Sequence, residues 1–205
     1  MKRRKGRFGA ALAVALLLAL IPGVAGSHPW IDSYTLETQQ RYTEALAALE
    51  PVLAQRPVNE FAVMRSGWLL YLAGKYNESL SAYQRALELN PRSLDARLGL
   101  TLPLLAQKRW REAAMHAQQV LETAPWNYYA HVRLMVSQEG QGQWEALARH
   151  AADVAARYPT DATLYVYLGR AEAKLGNVEK AKAAYRAVLE RVPGHYEASD
   201  FLATH

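Results

Sequence analysis

The sequence predicts an all-α solenoid of stacked antiparallel helical hairpins, about four full repeats preceded by a partial one. Five prolines carry this expectation: Pro57, Pro91, Pro125, Pro159 and Pro193 follow one another at a constant spacing of 34 residues. A fixed period of this order marks hairpins that each bury an apolar face against the next. Composition agrees. The chain is 51% apolar over 205 residues, with only 12 glycines and 9 prolines, which is enough to bury a core and leaves little room for long disorder.

The N-terminus is set apart from the repeats. Lys2, Arg3, Arg4, Lys5 and Arg7 precede a run from Phe8 to Leu20 without a charged residue. Ile21-Pro22-Gly23 and the small Ala25, Gly26 and Ser27 come next. This order is that of a secretory signal peptide over residues 1–26, so the chain is expected to be exported to the periplasm or cell envelope. An uncleaved N-terminal anchor is the alternative, at the short edge of what spans a bilayer. The chain has 24 Lys and Arg against 19 Asp and Glu, and the first 26 residues hold five of the basic groups and no acidic one. The remainder therefore balances 19 against 19, which gives no basic footprint for nucleic acid. The absence of cysteine excludes disulfides, cysteine ligands and lipid attachment at a cysteine.

After a short segment at 27–33, a partial first repeat is expected over 34–59. Full repeats follow over 60–93, 94–127, 128–161 and 162–195, with a short cap over 196–205. Aligning on the prolines brings other columns into register. Ala86, Val120, Val154 and Val188 precede the proline by five residues. Ser79, Ala113, Leu147 and Ala181 are mostly small, which lets paired helices approach. Gly74, Gly142 and Gly176 form a column broken by Lys108, and suit a left-handed residue closing the first helix. Tyr76, Trp110, Trp144 and Val178 pack the turn after it, and the proline ends the second helix. Gly67 and Gly169 form one more column, broken by Thr101 and Met135. Pro51 and Pro103 fall inside expected helices, where each removes a ladder bond and should kink its helix.

These columns resemble the tetratricopeptide repeat. The stretch EFAVMRSGWLLYLAGKYNESLSAYQRALELNPRS, from Glu60 to Ser93, is similar to the family consensus over its whole length. The three repeats after it match more loosely. Gln40–Pro57 resembles a second helix whose first helix, around Ile31–Gln39, is degenerate or short. The resemblance implies a right-handed superhelix whose first helices line a concave groove for extended peptides or partner helices. That groove would present Phe61, Met64, Trp68 and Tyr71, then Asp95, Leu98 and Leu102, then Tyr129 and Val132. Trp126 would stand at the rim, with Arg92 and Arg170 as positive charges near it. Met64 and Trp68 replace the Lys and Asn with which cytosolic members clamp a chaperone carboxylate, so recognition should be apolar and aromatic. Packing between first helices, or cover from Trp30–Leu36 folding back, is the competing role for such residues.

Catalytic constellations are thin. No nucleophile elbow, phosphate loop or HExxH pair is present, no cofactor motif is found, and an enzyme is not expected. His116 and His150 recur in equivalent places roughly 10 Å apart, too far for one metal, and read as solvated. His131 reads as packed and hydrogen-bonded. Glu44, Glu78, Glu112 and Glu145 recur near the starts of second helices, where the helix dipole favours them. The function expected is a non-catalytic scaffold binding a protein or peptide partner of the envelope within an assembly, secretion or maturation complex. The alternative is a carbohydrate-binding module using the same aromatic strip. The brief C-terminal cap leaves an end that could pair with another copy of the chain.

Overall fold

The computed structural model describes residues 28–205, so the expected signal segment lies outside the described residues. The described chain is helical, with no strand. Its elements are α1 (Pro29–Thr38), α2 (Tyr42–Ala47), α3 (Glu50–Leu53), α4 (Glu60–Leu72) and α5 (Tyr76–Leu89). They continue with α6 (Leu94–Ala106), α7 (Trp110–Thr123), α8 (Tyr128–Gly140) and α9 (Trp144–Arg157), then α10 (Ala162–Lys174), α11 (Val178–Arg191) and α12 (Tyr196–Thr204). The pairs α4–α5, α6–α7, α8–α9 and α10–α11 pack as hairpins, and α4, α6, α8 and α10 lie side by side in that order. This is an all-α solenoid of helical repeats.

Each junction is specified locally. Every first helix from α4 onward, and α12, opens on a side chain that accepts a backbone N–H of the first turn. These caps are Asn59, Ser93, Asn127, Asp161 and His195, again one period apart. Such a cap is worth about 1 kcal/mol per helix. Each stands two residues after one of the aligned prolines, which ends the second helix and leaves the cap residue extended. Glu44, Glu78, Glu112 and Glu145 do sit in the first turns of second helices.

The turn inside each hairpin repeats as well. Gly74, Gly142 and Gly176 have φ of 75, 68 and 78°, and Gln40 and Lys108 adopt 60 and 58° at the same register. In all five turns the following N–H bonds back to a carbonyl five residues earlier, as Lys75 does to Leu70 and Arg109 to Leu104. The two side-chain-bearing residues therefore take the left-handed conformation because the flanking hydrogen bonds fix it. Lys108→Gly is expected to raise stability by about 0.5–1 kcal/mol, since the left-handed penalty for an L side chain is relieved. A urea titration checks it; an unchanged or lower midpoint would contradict the strain.

Two expectations need correction. The partial repeat begins earlier than Tyr34, because α1 forms from Pro29 and ends in the same left-handed turn, at Gln40, as the full repeats. It packs on α2 and serves as a first helix, and as part of that hairpin Trp30 and Leu36 share a cluster with Trp68. Pro51 does not merely kink the second helix. It stands at the start of α3, where α2 has already ended, because the missing N–H cannot continue the ladder. Pro103, by contrast, is fully buried within an uninterrupted α6.

The core runs along the stack as linked clusters. Leu49 and Leu69 close the N-terminal end, Leu100 and Leu104 the next layer, and Met135, Leu147 and Leu164 the third. Val166, Tyr185 and Val188 form the last layer, onto which Phe201 and Leu202 of α12 pack. Each fully buried Leu or Met in this series contributes roughly 2 kcal/mol by removal from water.

Candidate functional site

The first helices place one residue per repeat at their second position, facing away from the core: Phe61, Asp95, Tyr129 and Thr163, all exposed. On this face a cavity of about 330 Å³ spans α1, α4 and α6 and reaches α5 beneath them. It gathers four of the residues expected from the sequence, Phe61, Met64, Trp68 and Asp95. Three others complete it: Tyr34, Arg65 and Tyr83.

The walls are aromatic. Phe61 is 51% exposed and packs on Trp30 at 5.3 Å between ring centroids. Trp68 is half-buried on the Leu49–Leu69 cluster, and its indole N–H donates to a Glu37 carboxylate oxygen at 2.7 Å. Trp68 thus braces the fold while showing one side to the cavity. Met64 is packed mostly into the core and accepts from the Ser93 hydroxyl at 3.7 Å.

Below them lies a buried cation. Arg65 is 6% exposed, pairs with Glu37 at 2.8 Å and donates from Nε to the Ser33 hydroxyl at 3.1 Å. The Tyr34 ring covers its guanidinium at 3.5 Å, and its Nη2 has no acceptor. So α1 is held to α4 by a desolvated ion pair, whose loss of one partner typically costs about 3–5 kcal/mol. Tyr83 comes from α5 and pushes its ring between the two first helices, close against the backbones of Gly67 and Gly99. Burial pushes its phenol well above the ordinary tyrosine range, so it stays protonated.

The other expected residues lie elsewhere on the molecule. Tyr71 stacks loosely between Trp68 and Tyr76, at 5.7 and 5.9 Å. Leu98, Leu102 and Val132 are partly buried, and Arg92 is exposed in the link before α6. Tyr129 is 63% exposed, edge-on to Tyr128. Trp126 is exposed in the link before α8, with Arg157 over its ring at 5.6 Å and its carbonyl taking the Tyr158 hydroxyl at 2.7 Å. Arg170 is not a free charge. It pairs with Glu197 at 2.6 Å and Glu139 at 3.4 Å. The Arg170 hydrogen bond holds the Glu197 carboxyl below its usual range, and the Tyr185 hydroxyl donates to the same carboxylate at 2.9 Å.

His131 is packed and hydrogen-bonded as expected, while His116 and His150 differ from expectation. His150 is not solvated on an outer face: its Nε2 meets His131 Nδ1 at 2.9 Å, and His131 Nε2 reaches the Pro125 carbonyl at 2.9 Å. The register of α9 turns His150 toward α8 rather than to water. His116 is also half-buried, with an Nδ1 that lacks a partner. Among the described residues no three His, Asp or Glu side chains gather within reach of one metal ion.

Arg65 interrupts an otherwise apolar helix, which is a signal for a buried ion pair. Tyr83 is announced only by the glycines that it touches, one of which, Gly99, stands outside the Gly67 and Gly169 column.

Helical hairpins repeating every 34 residues, each closed by the same left-handed turn and the four full ones opened by a side-chain cap at one register, define an α-solenoid of the helical-repeat class. Two family models match the chain: that of anaphase-promoting complex, cyclosome, subunit 3 over residues 38–120, and that of the tetratricopeptide repeat over residues 162–195. The chain is a tetratricopeptide-repeat protein. Its fold is similar to that of MamA from Desulfovibrio magneticus RS-1, at 19% identity and a TM-score of 0.72, over 80% of this chain and 93% of that one. MamA AMB-1 gives 17% identity and a TM-score of 0.65, over 83% and 94% of the two chains. YrrB, described as a TPR protein with an unusual peptide-binding site, gives 19% and 0.69, over 84% and 89%. No curated protein matches the chain significantly.

Proposed function

We propose that the protein is a non-catalytic scaffold that binds a peptide or helix of a protein partner across the face of its first helices. The observation that carries this is the cavity walled by Phe61, Tyr34 and Trp68, where exposed aromatic surface is held open by a rigid stack. Aromatic groups in a preformed pocket are the usual anchors of protein recognition. The peptide-binding site for which YrrB is described supports the reading by analogy of fold. The segment over residues 1–26 reads as an export signal, so the partner is placed in the periplasm or envelope, within an assembly, secretion or maturation complex. No helix among the described residues is long and apolar enough to cross a membrane.

Phe61 and Tyr129 are the variants of choice, because Trp68 also braces the core. Phe61→Ala with Tyr129→Ala is expected to abolish capture of partner proteins from envelope extract while the melting temperature moves by only about 2 °C, since exposed substitutions cost little. Equal recovery by parent and variant would move the functional surface off this face. Binding of oligosaccharides in place of peptides, lost in the same variant, would favour the glycan reading, for which the Tyr83 hydroxyl and Asp95 would supply the polar contacts.

A further inference from the structure

The cavity has a distinct charge arrangement. Its one buried cation, Arg65, has its charge balanced, with only the buried Nη2 left without an acceptor. Glu37 neutralises it at 2.8 Å, Ser33 takes its Nε, and the Tyr34 ring covers its face. Asp95 is different. It stands exposed in the first turn of α6 and makes no ion pair or side-chain hydrogen bond among the described residues. The unbalanced charge of the cavity is therefore a single carboxylate. Beside it are the exposed rings of Tyr34 and Phe61, 48% and 51% accessible, and the free side of Trp68.

We propose that this cavity takes a lysine or arginine side chain of an extended peptide, its alkyl stem against Phe61 and Trp68 and its cationic head at Asp95. The inference rests on the peptide-binding reading and narrows it to a class of ligand. Three features favour this occupant. A long aliphatic stem matches apolar and aromatic walls. A cation is attracted to ring faces. A lone carboxylate at the rim gives it a partner without the desolvation that a fully enclosed ion would suffer. An acidic side chain meets the opposite conditions, because Glu37 already neutralises Arg65 and the Nη2 left without an acceptor is buried, with the Tyr34 ring over the guanidinium.

The test is panning of a random-sequence displayed peptide library on the immobilised protein, in parallel with Asp95→Lys and with Phe61→Ala plus Tyr129→Ala, each shown folded by far-UV circular dichroism. The parent should enrich Lys or Arg at one position roughly three- to tenfold over the library, as expected for a cation–aromatic and carboxylate site. Asp95→Lys should lose that enrichment and select Asp or Glu there. A parent pool without charge preference, an acidic one, or an Asp95→Lys pool like the parent's overturns the inference while leaving the binding face intact. No enrichment by the parent, or enrichment undiminished by the double alanine variant, overturns the binding face as well.

Discussion

Gly99→Ala is expected to destabilise the protein by about 2–4 kcal/mol, the cost of overpacking combined with a displaced rotamer. A β-carbon at position 99 would lie 2.2 Å from Tyr83 Cε1 and 2.6 Å from Cδ1 and Cζ. The ring has little room to retreat, because its other edge lies so close to Gly67 that a single added carbon there would meet it at 2.9 Å. Tyr83 must therefore leave the slot between α4 and α6, and with it goes the floor of the cavity. In a chain of this size such a loss lowers the melting temperature by roughly 5–12 °C. The cause is separable from any general intolerance of alanine by a double-mutant cycle. In a Tyr83→Leu background the clash is gone, and alanine should be neutral or stabilising by about 0.5–1 kcal/mol, because it is the better helix former. An equal penalty in both backgrounds would show that the slot is not what Gly99 provides.

The slot shows where sequence and structure part. The period, the hairpin turns and the boundaries of the second helices are legible because they depend on residues close in sequence. A proline stops a helix wherever it falls, and a left-handed residue closes one. Even where the glycine column lapses, at Gln40 and Lys108, the backbone keeps the turn, since the surrounding hydrogen bonds outweigh a penalty of about 1–2 kcal/mol. What sequence could not give is the pairing across helices. Arg65 meets Ser33 and Glu37 some thirty positions upstream, on a helix whose apolar pattern is weak enough to be read as degenerate. Its polar residues acquire a role only when α4 lies against it. Phe61 and Trp68 were visible as aromatic groups on one helix face. That Trp68 would be half committed to bracing α1, and Tyr83 would enter from the second helix, depends on three elements meeting at one point. Sequence shows Arg170 as a positive charge near the groove but not its pairing, for the same reason: Glu197 lies beyond the last full hairpin, on α12.

The histidine chain leads to a large pH effect. His131 donates from Nε2 to the Pro125 carbonyl, so its bare Nδ1 takes the proton of His150 Nε2. His150 Nδ1 lies 2.9 Å from Gln138 Oε1, so beside a neutral His150 the amide turns over to present its NH2 group, the alternative orientation of the same side chain. With the amide so turned, the neutral pair is fully satisfied. One added proton can be relayed along the chain at the cost of burying its charge, but a second would set two N–H groups face to face. Burial, then the His131 charge, brings the His150 imidazole from its ordinary 6.5 down to about 4, with Asp153 opposing. Burial lowers His131 as well, despite the Pro125 carbonyl, and burial with Arg97 lowers His116. Folding thus prefers the unprotonated forms, while the unfolded chain takes up protons below about pH 6.5. Stability is complete above that value and falls as pH drops toward 4. Allowing for partial solvent screening of His150, the loss between pH 7 and pH 4.5 is about 2 kcal/mol from this side chain. Urea midpoints measured across that range should show it. His150→Gln keeps an N–H for His131 and removes the titrating ring, so its stability should be flatter between pH 6.5 and 5, where most carboxylates are still ionised. A variant that follows the parent's slope through that window would place the acid sensitivity elsewhere.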